Sequence, residues 1–125
     1  MTIENSEEEW KATWSRDWLK TISAFYNTSG GRLVIGRADD GSYVGVDNPK
    51  DTLKVVSDTV SNLLHIPIDV LAEEFDGKTC IVVLVPEGNR AVSYDGGYYK
   101  RIGNTTRRLD GDALQDFLLS KLNRF

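Results

Sequence analysis

Apolar residues recur along this chain in helical stripes separated by short apolar runs and glycine-rich turns. Between Ser15 and Asn27, Trp18, Ile22 and Phe25 fall at steps of four and three with Leu19 and Tyr26 beside them, which predicts an amphipathic helix. Gly30 and Gly31 predict its end, because glycine accepts the positive φ of a helix terminus. A second helix is predicted from Asn48 as N-cap and Pro49 as first helical residue, carried by Leu53, Val56, Val60, Leu63 and Leu64, with Pro67 beyond it. Asp110 can cap a third, where Leu114, Phe117, Leu118, Leu122 and Phe125 line one side. Near the start, Ser6 and Glu9 have the Ser-x-x-Glu spacing of a capping box, so a helical turn is expected there. On such a helix Trp10, Trp14 and Trp18, four residues apart, form an aromatic ridge suited to core or dimer contact.

Three hairpins lie between the helices. "RLVIG" is too apolar for a wet face, with "ADDGS" as its turn and "YVGV" as the returning strand. "DVLAEEF", the turn "DGK" and "TCIVVLV" form a second hairpin, whose later strand is apolar on both faces and therefore central. "AVSY", "DGG" and "YYKRIG" form a third. The order predicts an α+β domain: a mainly antiparallel or mixed sheet of about six strands in three hairpins, with three helices packed on it.

Composition narrows the class. The length, 125 residues, suits a single domain over 1–125, and 40% hydrophobic with 27% charged residues is the balance of a soluble globular protein. Nothing approaches the roughly 18 successive apolar residues of a membrane span. The start "MTIENSEEEW" lacks the basic-then-apolar order of a signal peptide, so a cytoplasmic protein without a membrane partner is expected. One cysteine and one histidine are too few for a disulfide or a Cys/His zinc site. Cys80, in an apolar strand, is expected to be an inert thiol, and His65, near a helix end, a capping or surface residue.

The net charge of −4 argues against a polyanionic partner, but it hides an asymmetry. Residues 98–108, "YYKRIGNTTRR", carry Lys100, Arg101, Arg107 and Arg108 and no acid. Gly103 can bring backbone close to a phosphate, and Asn104, Thr105 and Thr106 can donate to its oxygens; such a loop positions a nucleic-acid backbone without reading sequence. Strand alternation puts Tyr99 and Arg101 on one face, Tyr98 and Lys100 on the other. The competing reading makes one tyrosine core and pairs Arg101 with an acid. A phosphate-binding P-loop is excluded, since "NTSGGRL" lacks its lysine and runs from helix into strand.

Taken together, "ENSEEEWK", "ISAFYNTSGGRLVIGRADDGSYVGV", "VVLVPEG" and "YYKRIGNTTRR" resemble the Schlafen-type Alba-like domain over nearly the whole chain. The resemblance implies an Alba-like fold, a DNA-binding role in regulators that usually continue into a winged helix, and a homodimer. It singles out Arg101, within Tyr-x-x-Arg-x-Gly. Arg37 departs from the pattern, standing where the family has an apolar residue, so its side chain is expected to aim at solvent or a phosphate. In the animal Schlafen ribonucleases, acids resembling Glu4, Glu9 and Asp40 form a metal-dependent site for cutting RNA, which implies Mg²⁺ or Mn²⁺ if that activity is present and no cofactor otherwise. Residues five apart lie roughly 140° around a helix and on opposite faces of a strand, so Glu4 and Glu9 converge only if the segment bends between them, as a cap at Asn5 and Ser6 would allow. Asp before Gly is also an ordinary hairpin turn, and Glu9 has its capping role. Lys11 is the natural phosphate contact in either scheme. The leading expectation is DNA or RNA binding through Lys11, Arg37, Lys100, Arg101, Asn104, Thr105, Arg107 and Arg108. The alternatives are the nuclease and a protein-interaction module that oligomerises through its tryptophans or a sheet edge.

Overall fold

Residues 7–122 are described by the structure, a computed structural model. The chain runs β1 (Glu8–Lys11), a 3₁₀ turn (Arg16–Trp18), α1 (Leu19–Asn27), β2 (Gly31–Ile35), α2 (Pro49–Leu63), β3 (Asp69–Phe75), β4 (Lys78–Val85), β5 (Ser93–Tyr94), β6 (Gly97–Ile102), β7 (Thr105–Arg108) and α3 (Gly111–Leu122). Four strands make one sheet in the order β1-β2-β4-β3, and β5-β6-β7 make a second. The α+β class stands, with three helices and a mixed, mainly antiparallel strand set.

The apolar run of β4 is central, as its two-sided hydrophobicity requires, antiparallel to β2 on one side and β3 on the other. Asp76-Gly77 and Asp95-Gly96 both take positive φ at the two tight turns, the backbone that a two-residue hairpin with matching twist demands. On one face of the sheet, Leu33, Ile35, Ile81 and Val83 meet Leu19, Ile22 and Phe25 of α1 and Val56 and Val60 of α2 in the main core. On the other face Trp10, Val34 and Cys80 form a smaller cluster, against which Tyr43 and Phe75 pack.

Several expectations need correction. Glu8–Lys11 is not helical but a strand, paired in parallel with β2 from Glu8 opposite Arg32 to Lys11 opposite Ile35; Ser6 lies outside the described residues. A parallel pair needs a crossover, and α1 supplies it, making β1-α1-β2 one unit. The aromatic ridge therefore does not exist. Trp10 is buried on a strand, while Trp14 and Trp18 pack from the segment that follows it. "YVGV" contributes only a single bridge, Tyr43 to Arg37, because Val44 and Gly45 both donate to the Gly36 carbonyl and turn the chain away. "TTRR", read as loop, is β7. On α3 Phe117 is buried and Leu114 and Leu118 half-buried, but Leu122 is 67% exposed; Phe125 lies outside the described residues.

The glycine pair marks the tightest point of the main core. Gly30 takes φ +76°, and its N–H donates to the Phe25 carbonyl at 2.7 Å, closing α1. A Cβ on Gly31 would collide with the Phe25 ring. Gly31→Ala should therefore lower the unfolding free energy by about 1–3 kcal/mol, the usual cost of overpacking. Urea titration measures it, and a wild-type midpoint would refute the packing argument.

Candidate nucleic-acid interface

The basic segment lies on the β6–β7 ribbon, where register decides which side chains share a face. Lys100 is directly opposite Arg107, Arg101 opposite Thr106, and Tyr99 opposite Arg108. Facing partners project to the same side, and neighbours along a strand to opposite sides. One face of the ribbon thus carries Lys100 and Arg107, and the other Tyr99, Arg101 and Thr106, turned onto α1.

Arg101 is the pivot. Its side chain is 1% exposed, with the guanidinium carbon 4.9 Å from the centroid of Phe25. Nη1 donates to Glu9 Oε2 at 3.1 Å and to Thr106 Oγ1 at 2.9 Å, while Thr106 Oγ1 lies 3.2 Å from Thr21 Oγ1 on α1. The backbone N–H of Arg101 donates to Thr28 Oγ1, which itself donates to the Ala24 carbonyl. Next to Thr28, the buried Asn27 amide donates to the carbonyls of Val92 and Tyr99 and accepts from Val92 N–H. The run Ala-Phe-Tyr-Asn-Thr is thereby accounted for: its phenylalanine sits beneath the arginine, and its last two residues stitch the second sheet to α1.

Of the other nominated residues, Arg107 is exposed, Lys100 is half-buried with Nζ 5.9 Å from the Phe117 centroid, and Arg108 lies 3.9 Å from Asp110. Asn104 and Thr105 are exposed at the ribbon's turn, where Thr105 Oγ1 donates to the Ile102 carbonyl. Lys11, on β1, has its ammonium 4.1 Å from the Trp18 centroid.

Arg37 does not aim at solvent. It is 7% exposed, its guanidinium carbon 3.9 Å from the Trp10 ring and 4.5 Å from that of Tyr43, and Nε donates to the Gly41 carbonyl. An arginine spends little hydration when stacked between two rings, which is why a charged residue is tolerated where an apolar one was expected.

The carboxylates separate. Glu4 lies outside the described residues. Glu9 shares the α1 side of β1 with Arg101, whereas the loop carrying Asp40 packs against Trp10, on the opposite face. Asp40 accepts from the N–H and hydroxyl of Ser42 at 2.9 and 2.6 Å. These two bonds hold its carboxyl below the usual carboxylate range. Among the described residues no group of three His, Cys, Asp or Glu side chains is placed to hold a metal ion, and the two described acids do not form a donor set for Mg²⁺ or Mn²⁺. Cys80 is fully buried, with its thiol pushed above the ordinary value by that burial. No helix among the described residues is long and apolar enough to cross a membrane.

The sequence reading passed over Lys121. It is 8% exposed, and its Nζ donates to the Gly88 carbonyl at 3.1 Å and lies 5.7 Å from the Phe117 centroid. Its spacing from Phe117, four residues on the same helix face, was the available signal.

The Schlafen AlbA_2 family model matches residues 4–110. The chain belongs to the Schlafen AlbA_2 family. No curated protein matches the chain. Among solved structures, the DIP2311 protein of Corynebacterium diphtheriae aligns with a TM-score of 0.65 at 16% identity, covering 83% of this chain but only 24% of that longer one. The amino-terminal domain of an ATP-dependent DNA helicase RecG-related protein of Nitrosomonas europaea aligns with a TM-score of 0.55 at 24% identity, covering 85% of this chain and 83% of that domain. At these identities the two neighbours establish a shared fold.

Two measurements test the site's electrostatics. Glu9→Ala leaves the Arg101 charge buried without its carboxylate and should cost about 3–5 kcal/mol, part of which Arg101→Met in the same chain restores; additive costs would show that the two residues are not coupled. Asp40, with its folded pKa lowered, contributes stability above its unfolded pKa that is lost as pH falls through the folded one. Ser42→Ala should raise the Asp40 midpoint in a carboxyl-carbon NMR titration, and an unmoved midpoint would rule out the hydroxyl as the cause.

Proposed function

We propose that this domain binds nucleic acid through its phosphates, as part of a regulatory protein, with the outward face of the β6–β7 ribbon as the contact. The observation that supports this reading most is the cross-strand pairing of Lys100 with Arg107 on the face away from α1, in a segment with no acid between Tyr98 and Arg108. Phosphate contacts of this kind fix position and carry no sequence information, so the ribbon gives affinity and leaves specificity to other elements. Arg101 has a different part, holding the ribbon against α1 so that its neighbours face outward. A domain of this fold occurs in a RecG-related protein, which makes DNA the first polyanion to try and RNA the second.

Fluorescence anisotropy with labelled 20-nucleotide DNA and RNA over a salt series tests the reading. Two phosphate contacts on duplex DNA, from Lys100 and Arg107, predict a loss of affinity of roughly twelvefold between 50 and 200 mM salt, and Arg107→Gln should reduce the salt slope by about 0.9. Binding that salt does not weaken, or that Arg107→Gln leaves unchanged in slope, would defeat it.

A further inference from the structure

Two of the strands at sheet edges, β3 and β7, carry opposite charge. β3 has Asp69, Glu73 and Glu74 and no base, whereas β7 has Arg107 and Arg108 and no acid. The register of each hairpin decides which backbone groups point out of the sheet. The pair that closes a two-residue turn exchanges both hydrogen bonds, and pairs alternate from there. Phe75 opposite Lys78 closes the turn at Asp76-Gly77, so the N–H and carbonyl groups of Val70, Ala72 and Glu74 point away from β4. Ile102 opposite Thr105 closes the turn of the ribbon, so those of Thr106 and Arg108 point away from β6. The inner strands obey the same alternation: the Tyr99 carbonyl and Arg101 N–H bond outside the ribbon to Asn27 and Thr28, and the Thr79 carbonyl accepts from Val46 N–H. No hydrogen bond within the described residues uses the outward groups of β3 or β7.

A sheet edge is ordinarily blunted by a proline, a bulge or a lysine. Within β3 none of the three occurs: its pairing with β4 is unbroken from Asp69 to Phe75, and Ala72 and Glu74 are exposed. Its guard is acidic charge, which is selective. Self-pairing would set the carboxylates of two β3 strands side by side without a base, so a second β3 is disfavoured and a basic strand is admitted. β7 is such a strand, exposed at Thr105, Arg107 and Arg108. Lys100 and Arg107 also stand directly opposite each other, a like-charged pair that is unfavourable alone and that an acid beside Arg107 relieves.

We infer that the β3 edge of one copy of this chain takes up the β7 edge of another, joining their sheets by strand addition. In antiparallel register Thr106 faces Glu74 and Arg108 faces Ala72, which matches outward groups with outward groups and sets Arg107 directly opposite Glu73. The contact is heterologous. Each copy offers one edge of each kind, so assembly closes into a ring or continues as a chain according to the rotation between neighbours. Arg107 is also the proposed phosphate contact, and a strand lying along the ribbon excludes the neighbouring copy; that consequence rests on the nucleic-acid reading, whereas the pairing of edges does not.

Sedimentation velocity over a protein concentration series, at low salt and again at about 0.5 M, reads the assembly. The mean mass should rise with concentration at low salt and return toward the monomer at high salt, where the Arg107–Glu73 attraction is screened. Glu73→Arg alone and Arg107→Glu alone should each abolish the rise, because each leaves like charges at the contact. An equimolar mixture of the two variants should restore it, since each then offers the charge that the other lacks. Ala72→Pro removes a donor that points out of the sheet and none bonded to β4, so it should also leave a monomer, with circular dichroism and melting temperature retained. The mixture decides the case even where the proline variant fails to fold. A monomer at every concentration, assembly that survives Glu73→Arg and Ala72→Pro, or a mixture that stays monomeric would overturn the proposal.

Discussion

One buried ion pair ties the second sheet to the first. Arg101 reaches from β6 across Phe25 to Glu9 on β1, linking the edge strand at the start of the described chain to a ribbon some ninety residues later. A guanidinium so far removed from water is tolerated only beside a close counter-charge, which Glu9 supplies, with Thr106 as a second acceptor for Nη1. Strand geometry carries the consequence outward. Once Arg101 faces α1, alternation forces Lys100 the other way, and register brings Arg107 beside it. The internal pair thus fixes which cations remain available at the surface.

The same division separates fold-making residues from candidate contacts. Phe25, Asn27, Thr28, the Gly30-Gly31 pair and Arg101 are the residues by which the sequence resembles its family, and in the structure they pack, cap and cross-link. Asn27 uses both amide hydrogens on the carbonyls of Val92 and Tyr99 and accepts from Val92 N–H, leaving its side chain no donor for a ligand. Lys100 and Arg107 lie beside these positions, on a surface that the packed residues orient. A motif this specific is therefore firm evidence of fold and indirect evidence of function, since surface charge can change between relatives without disturbing the ties beneath it.

How legible each element was in the sequence follows from how local its determinants are. The second helix, with Pro49 at its start and valines at 56 and 60, and the hairpin turning at Asp76-Gly77, are set by neighbours in the chain and were readable there. β1 was not. "SEEEWK" matches a capping box over four residues, but pairing with β2 and burial of Trp10 beneath Arg37 outweigh that short helical preference. β7 was missed because "GNTTRR" has no apolar alternation; it is a ribbon edge whose inward member is Thr106, held by hydrogen bonds. Arg37 was misread because its two aromatic partners, Trp10 and Tyr43, lie on separate segments. The reading of Arg101 as paired with an acid was open from the sequence, but Glu9 as its partner was not, since only the β1-α1-β2 crossover brings position 9 to position 101.

An excess of acid over base across the chain does not by itself oppose polyanion binding, because the two effects act at different ranges. Repulsion from carboxylates elsewhere is screened beyond a Debye length of about 8 Å at physiological ionic strength, whereas a phosphate in contact with Lys100 or Arg107 lies well inside it. Net charge thus bears mainly on encounter, slowing approach at low salt, and the local pair bears on residence.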